Sequence, residues 1–373
     1  MALKDILGKV LQSASNARAG SVLGIDVSSS TIKVVQLRRK SGRAVLETYG
    51  ELALGPYAGV DSGQATQLSA QKIGEALKDL LVESKASTKN CGVAIPLSAS
   101  LIHVIELPDL GEKRLSEMIP IEVRKYIPVS ISEVLLDWRI IPPTDVGGAA
   151  HEGVPDGKKT VEALTVAIHK DTIGKYQDMI RAAGLDNSFF EIEVFSTIRS
   201  LAEDSLAPVM ILDIGAATSK AFIVDRRVLR ESHTISRGSQ DITAALTRSL
   251  GISVEKAEEM KRMVGILSSE SEGDAAEVSS LVVDSLLGDA HRVALSYEKR
   301  RNRTVGRVIL AGGGSALKGL PEKAAEVFGI EVVRGNAFQK VETPAFLEGT
   351  LSKIGSEFAV AVGVALRKLE EAA

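Results

Sequence analysis

The chain has 373 residues, a formal net charge of -3 and one cysteine. That length suggests two or three domains, with room for a core that needs no disulfide or metal staple. The near-neutral balance argues against bulk nucleic-acid binding, and Cys91 alone excludes an intramolecular disulfide or a multi-thiolate zinc site.

Leu3, Ile6, Leu7, Val10 and Leu11 fall on one face of a short helix, followed by a small, polar linker to Gly20. Lys4 and Lys9 supply little attraction to a lipid surface, so the helix is expected to pack on the body or on a partner rather than on a membrane. The N-terminus has no apolar run of the secretory kind, and no stretch of the chain is apolar enough to span a bilayer, so we read a cytoplasmic protein with no transmembrane segment. Val22 to Val27 reads as a buried strand entering a Ser28-Ser29-Ser30 turn. Thr31 to Leu37 and Ala44 to Gly50 read as strands joined at Ser41-Gly42. A helix is expected over Gln71 to Ser84 and a buried strand over Gly92 to Pro96.

From about Ser98 the texture changes. Leu101 to Leu107 reads as a strand, Glu112 to Ile127 as a helix despite Pro120, and Glu133 to Ile141 and Val161 to His169 as two strands. The Gly- and Pro-containing segment from Pro142 to Lys159 reads as a loop. A helix over Asp171 to Ala183 stops at Gly184. Phe189 to Val194 reads as a strand, and Ser196 to Ser205 as a helix. The opening pattern then recurs: strand Val209 to Leu212, turn Gly215-Ala216-Ala217, strand Ser219 to Val224. Helices follow over Asp241 to Leu250, Val254 to Met263 and Ala275 to Arg301. A strand over Arg307 to Leu310 runs into Gly312-Gly313-Gly314, and the last helix spans about Ser356 to Lys368.

The two turns align. Asp26-Val27-Ser28-Ser29-Ser30-Thr31-Ile32-Lys33 and Asp213-Ile214-Gly215-Ala216-Ala217-Thr218-Ser219-Lys220 both read Asp, apolar, three small residues, Thr, any residue, Lys. Small side chains let backbone N–H groups approach phosphate oxygens as an anion nest, and Ser and Thr hydroxyls add donors. Two facing hairpins would clamp a polyphosphate, with Asp26 and Asp213 near Mg²⁺ through water. A single copy would be no more than an ordinary β-turn; two matched copies suggest related half-folds. Val308-Ile309-Leu310-Ala311-Gly312-Gly313-Gly314-Ser315, followed by Lys318, is a strand ending in glycines where backbone can lie flat on a ligand. It matches neither a Walker loop nor Gly-x-Gly-x-x-Gly. The five histidines show no metal spacing, the basic run Lys299 to Arg303 reads as a solvated helix end, and Trp138 reads as core.

With these motifs the chain resembles the actin-like ATPase superfamily, and within it the PilM family of type IV pilus assembly, with the division-protein family FtsA a near cousin. Leu23 to Lys33 resembles the first phosphate motif, Leu212 to Thr218 the second, and Leu310 to Ser315 the adenosine motif. Ala257 to Lys261 resembles the helix that contacts ribose and base, which marks Glu258 and Lys261. Phe358 to Arg367 resembles the closing helix. Arg124-Lys125-Tyr126-Ile127-Pro128, with Asp137 on the next strand, resembles the inserted subdomain shared by the two families. Two positions depart: Ser28 stands where the family has Gly, and Val194 where it favours Pro after the acidic Glu193.

The resemblance implies an α/β, ribonuclease H-like duplicated, two-lobed fold. Residues 1–20 are the N-terminal helix and linker. The first lobe takes 21–97 with 189–205 and the closing helix 356–369, and the inserted interaction subdomain takes 98–188. The second lobe takes 206–235 and 306–355, with a helical subdomain over 236–305. ATP or ADP with Mg is the implied cofactor. The nucleotide would be held by Ser28, Ser29, Ser30, Thr31, Lys33, Gly215, Ala216, Ala217, Thr218, Glu258, Lys261, Gly312, Gly313, Gly314, Ser315 and Lys318. Glu193 is the candidate for orienting a water, in what would be at most a slow ATPase. The implied partner is the N-terminal cytoplasmic tail of a PilN-like inner-membrane protein, gripped between the first lobe and the subdomain with the Glu112 to Ile127 helix as one wall. Other pilus assembly components and self-association are further expectations, and the partner would recruit the chain to the inner face of the membrane. An FtsA-like division protein should carry a C-terminal amphipathic anchor, whereas this sequence stops at Leu369-Glu370-Glu371-Ala372-Ala373, directly after the closing helix. A small-molecule kinase of the superfamily would need a catalytic base and a substrate pocket in the cleft.

Overall fold

The structure, a computed structural model, describes residues 20–141, 160–267 and 273–371. The helix expected over residues 3–11 and the loop expected over 142–159 lie outside the described residues. The described chain begins with strands β1 (Val22–Val27), β2 (Thr31–Lys40) and β3 (Arg43–Ala53), helix α1 (Ala70–Glu83) and β4 (Asn90–Ile95). It continues with β5 (Ser100–Pro108), α2 (Glu112–Val123), β6 (Val134–Ile141), β7 (Thr160–His169), α3 (Lys170–Ala182), β8 (Asn187–Ile192) and α4 (Glu193–Leu201). Then come β9 (Val209–Ile214), β10 (Ser219–Asp225), β11 (Val228–Ile235), α5 (Ser239–Leu250), α6 (Val254–Val264) and α7 (Gly273–Arg301). The last elements are β12 (Arg307–Ala311), α8 (Leu320–Phe328), β13 (Glu331–Arg334), a two-turn helix (Glu348–Ile354) and α9 (Ala359–Glu371).

Among the described residues, Ser98–Gly174 forms one compact unit, and residues 20–97 with Lys175 onward form the other. In the smaller unit, β5, β7 and β6 make an antiparallel sheet in that order. One face of α2 buries Leu115, Ile119 and Val123 with Ile105, Leu107 and Ala163 of the sheet. The expected helix to Ile127 ends at Val123 instead. The N–H groups of Lys125 and Tyr126 close a tight turn on Glu122 and Val123, and Ile127, which precedes Pro128, is pushed out of the helical region.

The larger unit contains two five-stranded sheets with the same order, β3-β2-β1-β4-β8 and β11-β10-β9-β12-β13. Each is an antiparallel meander extended by two parallel strands. The register repeats as well: Asp26 pairs with Lys33, and Asp213 pairs with Lys220. The sequence reading did not place β11, α8 or β13. It also put Glu193 and Val194 at a strand end, whereas the strand stops at Ile192 and Glu193 opens α4. A helix N-terminus favours a carboxylate in its first turn.

Helix α9 is buried without a break from Ala359 to Leu366. Its approach to β1 and α4 is so close that no side chain fits at two places. A Cβ on Gly363 would lie 1.9 Å from the Ser196 carbonyl oxygen, and one on Gly24 would lie 2.0 Å from that of Ala361. Buried Glu191 joins the same elements. Its carboxylate takes two hydrogen bonds from Arg199, at 2.6 and 2.7 Å, and one from the Ser196 hydroxyl at 2.5 Å. Arg199 also donates to the Gly363 carbonyl at 3.1 Å. Charge on Glu191 is therefore buried with a bidentate partner, the arrangement that makes burial tolerable. Among the described residues no helix is long and apolar enough to cross a membrane. Gly363→Ala is expected to lower unfolding stability by roughly 1–3 kcal/mol or more, because backbone must yield. Urea denaturation checks this, and a midpoint equal to wild type would contradict the packing described.

Candidate functional site

A cavity of about 670 Å³ opens between the two halves of the larger unit. Both hairpin turns line it. In the first, the Ser28 amide donates to the Thr31 carbonyl at 2.9 Å; in the second, the Gly215 amide donates to the Thr218 carbonyl at 3.1 Å. The turns are thus closed by the same bond. They differ in what remains free. At the second turn the carbonyls of Gly215 and Ala216 accept from Ser239 and Gln240, the first amides of α5, each at 2.9 Å. That satisfies two donors that a helix start leaves open. The amides of Ala216 and Ala217 have no acceptor among the described residues, which leaves a nest open to an anion. At the first turn the Ser28 hydroxyl accepts from the amides of Thr31 at 3.1 Å and Ser30 at 3.4 Å.

The floor carries charge. Lys220 Nζ lies 3.1 Å from Glu193 Oε2 and 3.6 Å from Asp213 Oδ2. Glu193 Oε1 accepts the Leu97 amide at 2.7 Å. Lys33 Nζ donates to Thr31 Oγ1 at 2.7 Å and pairs with Glu51 at 3.0 Å. Burial disfavours the Lys220 ammonium, but the carboxylates of Glu193, Asp213 and Asp26 outweigh it and raise its pKa. Burial pushes the Asp26 carboxyl up to about 7; Lys33 and Lys220 pull it down, while Glu193 and Asp213 push it further up. Three carboxylates (Asp26, Glu193 and Asp213) face two lysines (Lys33 and Lys220), and a polyphosphate would add more negative charge. Among the described residues no three acidic side chains converge to hold a metal directly, so a divalent cation offsetting that imbalance would have to keep its waters, as Mg²⁺ readily does.

The wall of the second half is built for a flat, uncharged approach. Gly312 has φ +76°, and a Cβ there would sit 2.3 Å from Asp213 Oδ1; Gly314 would place one 2.3 Å from Ile214 Cγ2. Opposite, on α6, Glu258 accepts from Lys261 at 2.5 Å, Thr243 at 2.8 Å and Arg262 at 2.9 Å. Burial alone would raise the Glu258 pKa, but Lys261 and these hydrogen bonds lower it.

Asp26, Ser28, Ser30, Thr31, Lys33, Glu193, Asp213, Gly215, Ala216, Glu258, Lys261 and Gly312 to Gly314 all line the cavity. Ser29, Ala217, Thr218, Ser315 and Lys318 do not. Ala217 faces an adjoining pocket of about 410 Å³. The Ser315 hydroxyl is committed to the Gly312 carbonyl at 2.6 Å and to Ser356 at 2.9 Å. Lys318 donates to the Met263 carbonyl at 2.6 Å, at the C-terminal end of α6, where a cation is favoured. The cavity also takes Glu51, Ser62, Gly63, Gly238, Ser239 and Glu357. Of these only Gly238-Ser239 carried a sequence signal, a glycine at a helix start.

A family model described as type IV pilus assembly protein PilM matches residues 24–369. The cell division protein FtsA of Neisseria meningitidis serogroup B is 23% identical over 338 residues, 79% of this chain and 80% of that protein. FtsA of Streptococcus pneumoniae serotype 2 is 20% identical over 380 residues, 91% of this chain and 82% of that protein. A solved PilM-PilN type IV pilus biogenesis complex contains a chain that superposes with a TM-score of 0.78 at 22% identity, covering 94% of this chain and 99% of that one. MreB5 of Spiroplasma citri bound to AMPPNP gives 0.52 at 11% identity, covering 95% and 98%. The fold is actin-like.

The Asp26 carboxyl titrates higher in the folded state than the ordinary 3.8, so the native protein holds the extra proton between 3.8 and about 7. The stability contributed by this group falls as pH rises through that window. Without nucleotide and in EDTA, Asp26→Asn should match wild type near pH 4 and exceed it by roughly 1–3 kcal/mol at pH 8. Thermal unfolding at both pH values checks this; a difference independent of pH would contradict it.

Proposed function

The chain belongs to the PilM family of type IV pilus assembly proteins, and on that premise we propose that it is an ATP-binding scaffold of pilus assembly that holds the cytoplasmic tail of a PilN-like membrane protein. The observation that carries the nucleotide part is the pair of hairpins in identical register on either side of one cavity, the second with open amides beside the Gly312 approach. Phosphates would lie against Gly215 and Ala216, and the nucleoside between Gly312 to Gly314 and the Glu258–Lys261 pair. Asp26 and Asp213 would hold Mg²⁺ through its waters. The cation would neutralise phosphate charge, and the chain's own part is to bind and orient the nucleotide and to keep the two halves closed on it.

Turnover is slow in this reading. Glu193 is the candidate for orienting a water, but one of its oxygens accepts an amide and the other faces Lys220. Holding ATP rather than consuming it suits a scaffold whose bound nucleotide sets partner affinity. The partner part is supported by the likeness to a chain of the PilM-PilN complex. It is also supported by the smaller unit, where Ile121 on α2 is 70% exposed and Tyr126 just beyond it is 45% exposed. Those two side chains are candidates for contact with the partner's tail. The partner would bring the chain to the inner face of the cytoplasmic membrane. The likeness to two FtsA proteins favours a second reading, an FtsA-like cell-division protein.

Isothermal calorimetry with Mg-ATP should show binding to wild type and a loss of about tenfold or more in Asp213→Ala; no heat from wild type would sink the nucleotide reading. Immobilised tails of PilN-like proteins should retain wild type and lose Ile121→Asp while Mg-ATP binding persists. Retention on division-protein baits instead would favour the second reading. Phosphate release by Glu193→Ala at the wild-type rate would remove Glu193 from any hydrolysis.

A further inference from the structure

We propose that the Ser28 hydroxyl is a built-in occupant of the first anion nest, and that it makes this site discriminate poorly between a nucleoside triphosphate and a diphosphate. The inference rests on the nucleotide reading above and concerns the far end of the phosphate chain. The nucleoside wall and the second hairpin both belong to the β9–β12 half. The first hairpin stands across the cavity and would therefore meet the phosphate most distant from the nucleoside.

In that hairpin most of the donors a terminal phosphate would seek already have partners; of its turn amides only that of Ser29 has no acceptor among the described residues. The amides of Ser30 and Thr31 point at Ser28 Oγ. The Ser28 proton goes to the Thr31 carbonyl or hydroxyl, both at 3.1 Å. The Thr31 hydroxyl takes Lys33, and Lys33 is held by Glu51. The loop is also fixed from behind, since the Ser29 carbonyl accepts both the amide and the hydroxyl of Thr66, at 2.7 and 3.1 Å. A neutral hydroxyl thus sits where a phosphate oxygen would sit. Gly215, at the matching position of the second hairpin, has no side chain to do so, and a Cβ there would press on the Thr218 carbonyl at 2.7 Å. A terminal phosphate must break the Ser28 bonds before making its own, so the net gain from the extra phosphate shrinks. A diphosphate, which need not reach the first hairpin, loses nothing.

The test is calorimetric titration of Mg-ATP and Mg-ADP into wild type, Ser28→Ala and Ser28→Thr. Wild type should bind the two with affinities within about threefold of each other. Ser28→Ala frees both amides and should raise the ATP-to-ADP affinity ratio about tenfold, through tighter ATP, a size that follows from charge-assisted bonds to two open amides. Ser28→Thr keeps the hydroxyl and should keep the wild-type ratio, which a merely structural role would not require. A ratio unmoved in Ser28→Ala, or one already above about tenfold in wild type, overturns the inference while nucleotide binding stands. Absence of binding by either nucleotide in wild type overturns the nucleotide reading and this inference with it.

Discussion

The Lys220 ammonium is the contact on which the cavity depends. It projects from β10 of one half toward Asp213 of its own sheet and Glu193 of the other half, and Glu193 in turn takes the Leu97 amide at the end of β4. One cation thereby ties the ends of two sheets to the first turn of α4. Removing a buried partner would leave two carboxylates facing each other uncompensated, a far larger penalty than the pair is worth by itself. Burial is what raises the Asp26 pKa; Lys33 and Lys220 oppose it, while Glu193 and Asp213 of this cluster add to it.

Duplication supplies two hairpins, and the structure shows them doing different work. The second turns its carbonyls into α5 and its amides outward. The first turns the amides of Ser30 and Thr31 onto its own serine, and its Ser29 carbonyl accepts from Thr66. Closure and register are shared, and the capture of those two amides follows from one difference of residue type, Ser28 against Gly215. With one nest open and the other partly occupied by Ser28, the nucleotide of the proposed function would be held mainly from one end, which suits occupancy better than turnover.

Much of this was legible in the sequence because the chemistry constrains residue types at fixed spacing. The Asp-to-Lys pattern survived in both copies since each Asp and Lys are cross-strand neighbours. What escaped has physical reasons. Strand β11 carries a register shift against β10 at Ile223/Val224 and shows few inward apolar residues, so no alternation announced it. Strand β13 is four residues long. Glu51, Gly63 and Glu357 reach the cavity from a strand end and loops with no motif, brought there only by folding. Lys318 was read as a ligand because it follows glycines. A lysine that caps a helix follows glycines equally well, and only its reach to the Met263 carbonyl separates the two roles. Glu193 was assigned to a strand because apolar neighbours surround it, while its amide-bound carboxylate at a helix start decided otherwise.

The closing helix has a consequence for synthesis. Helix α9 fills the space against β1 and α4 at backbone distance, and Arg39 of β2 reaches the Leu369 carbonyl across 330 residues of sequence. The first sheet therefore emerges from the ribosome with one face bare. It stays so until nearly the whole chain has been made, a delay of roughly 20–60 s at ordinary translation rates. During that interval the apolar face of β1 and β4 depends on transient cover, from a chaperone or from the nascent chain itself. Slower elongation late in the message would lengthen exposure of the earliest strands.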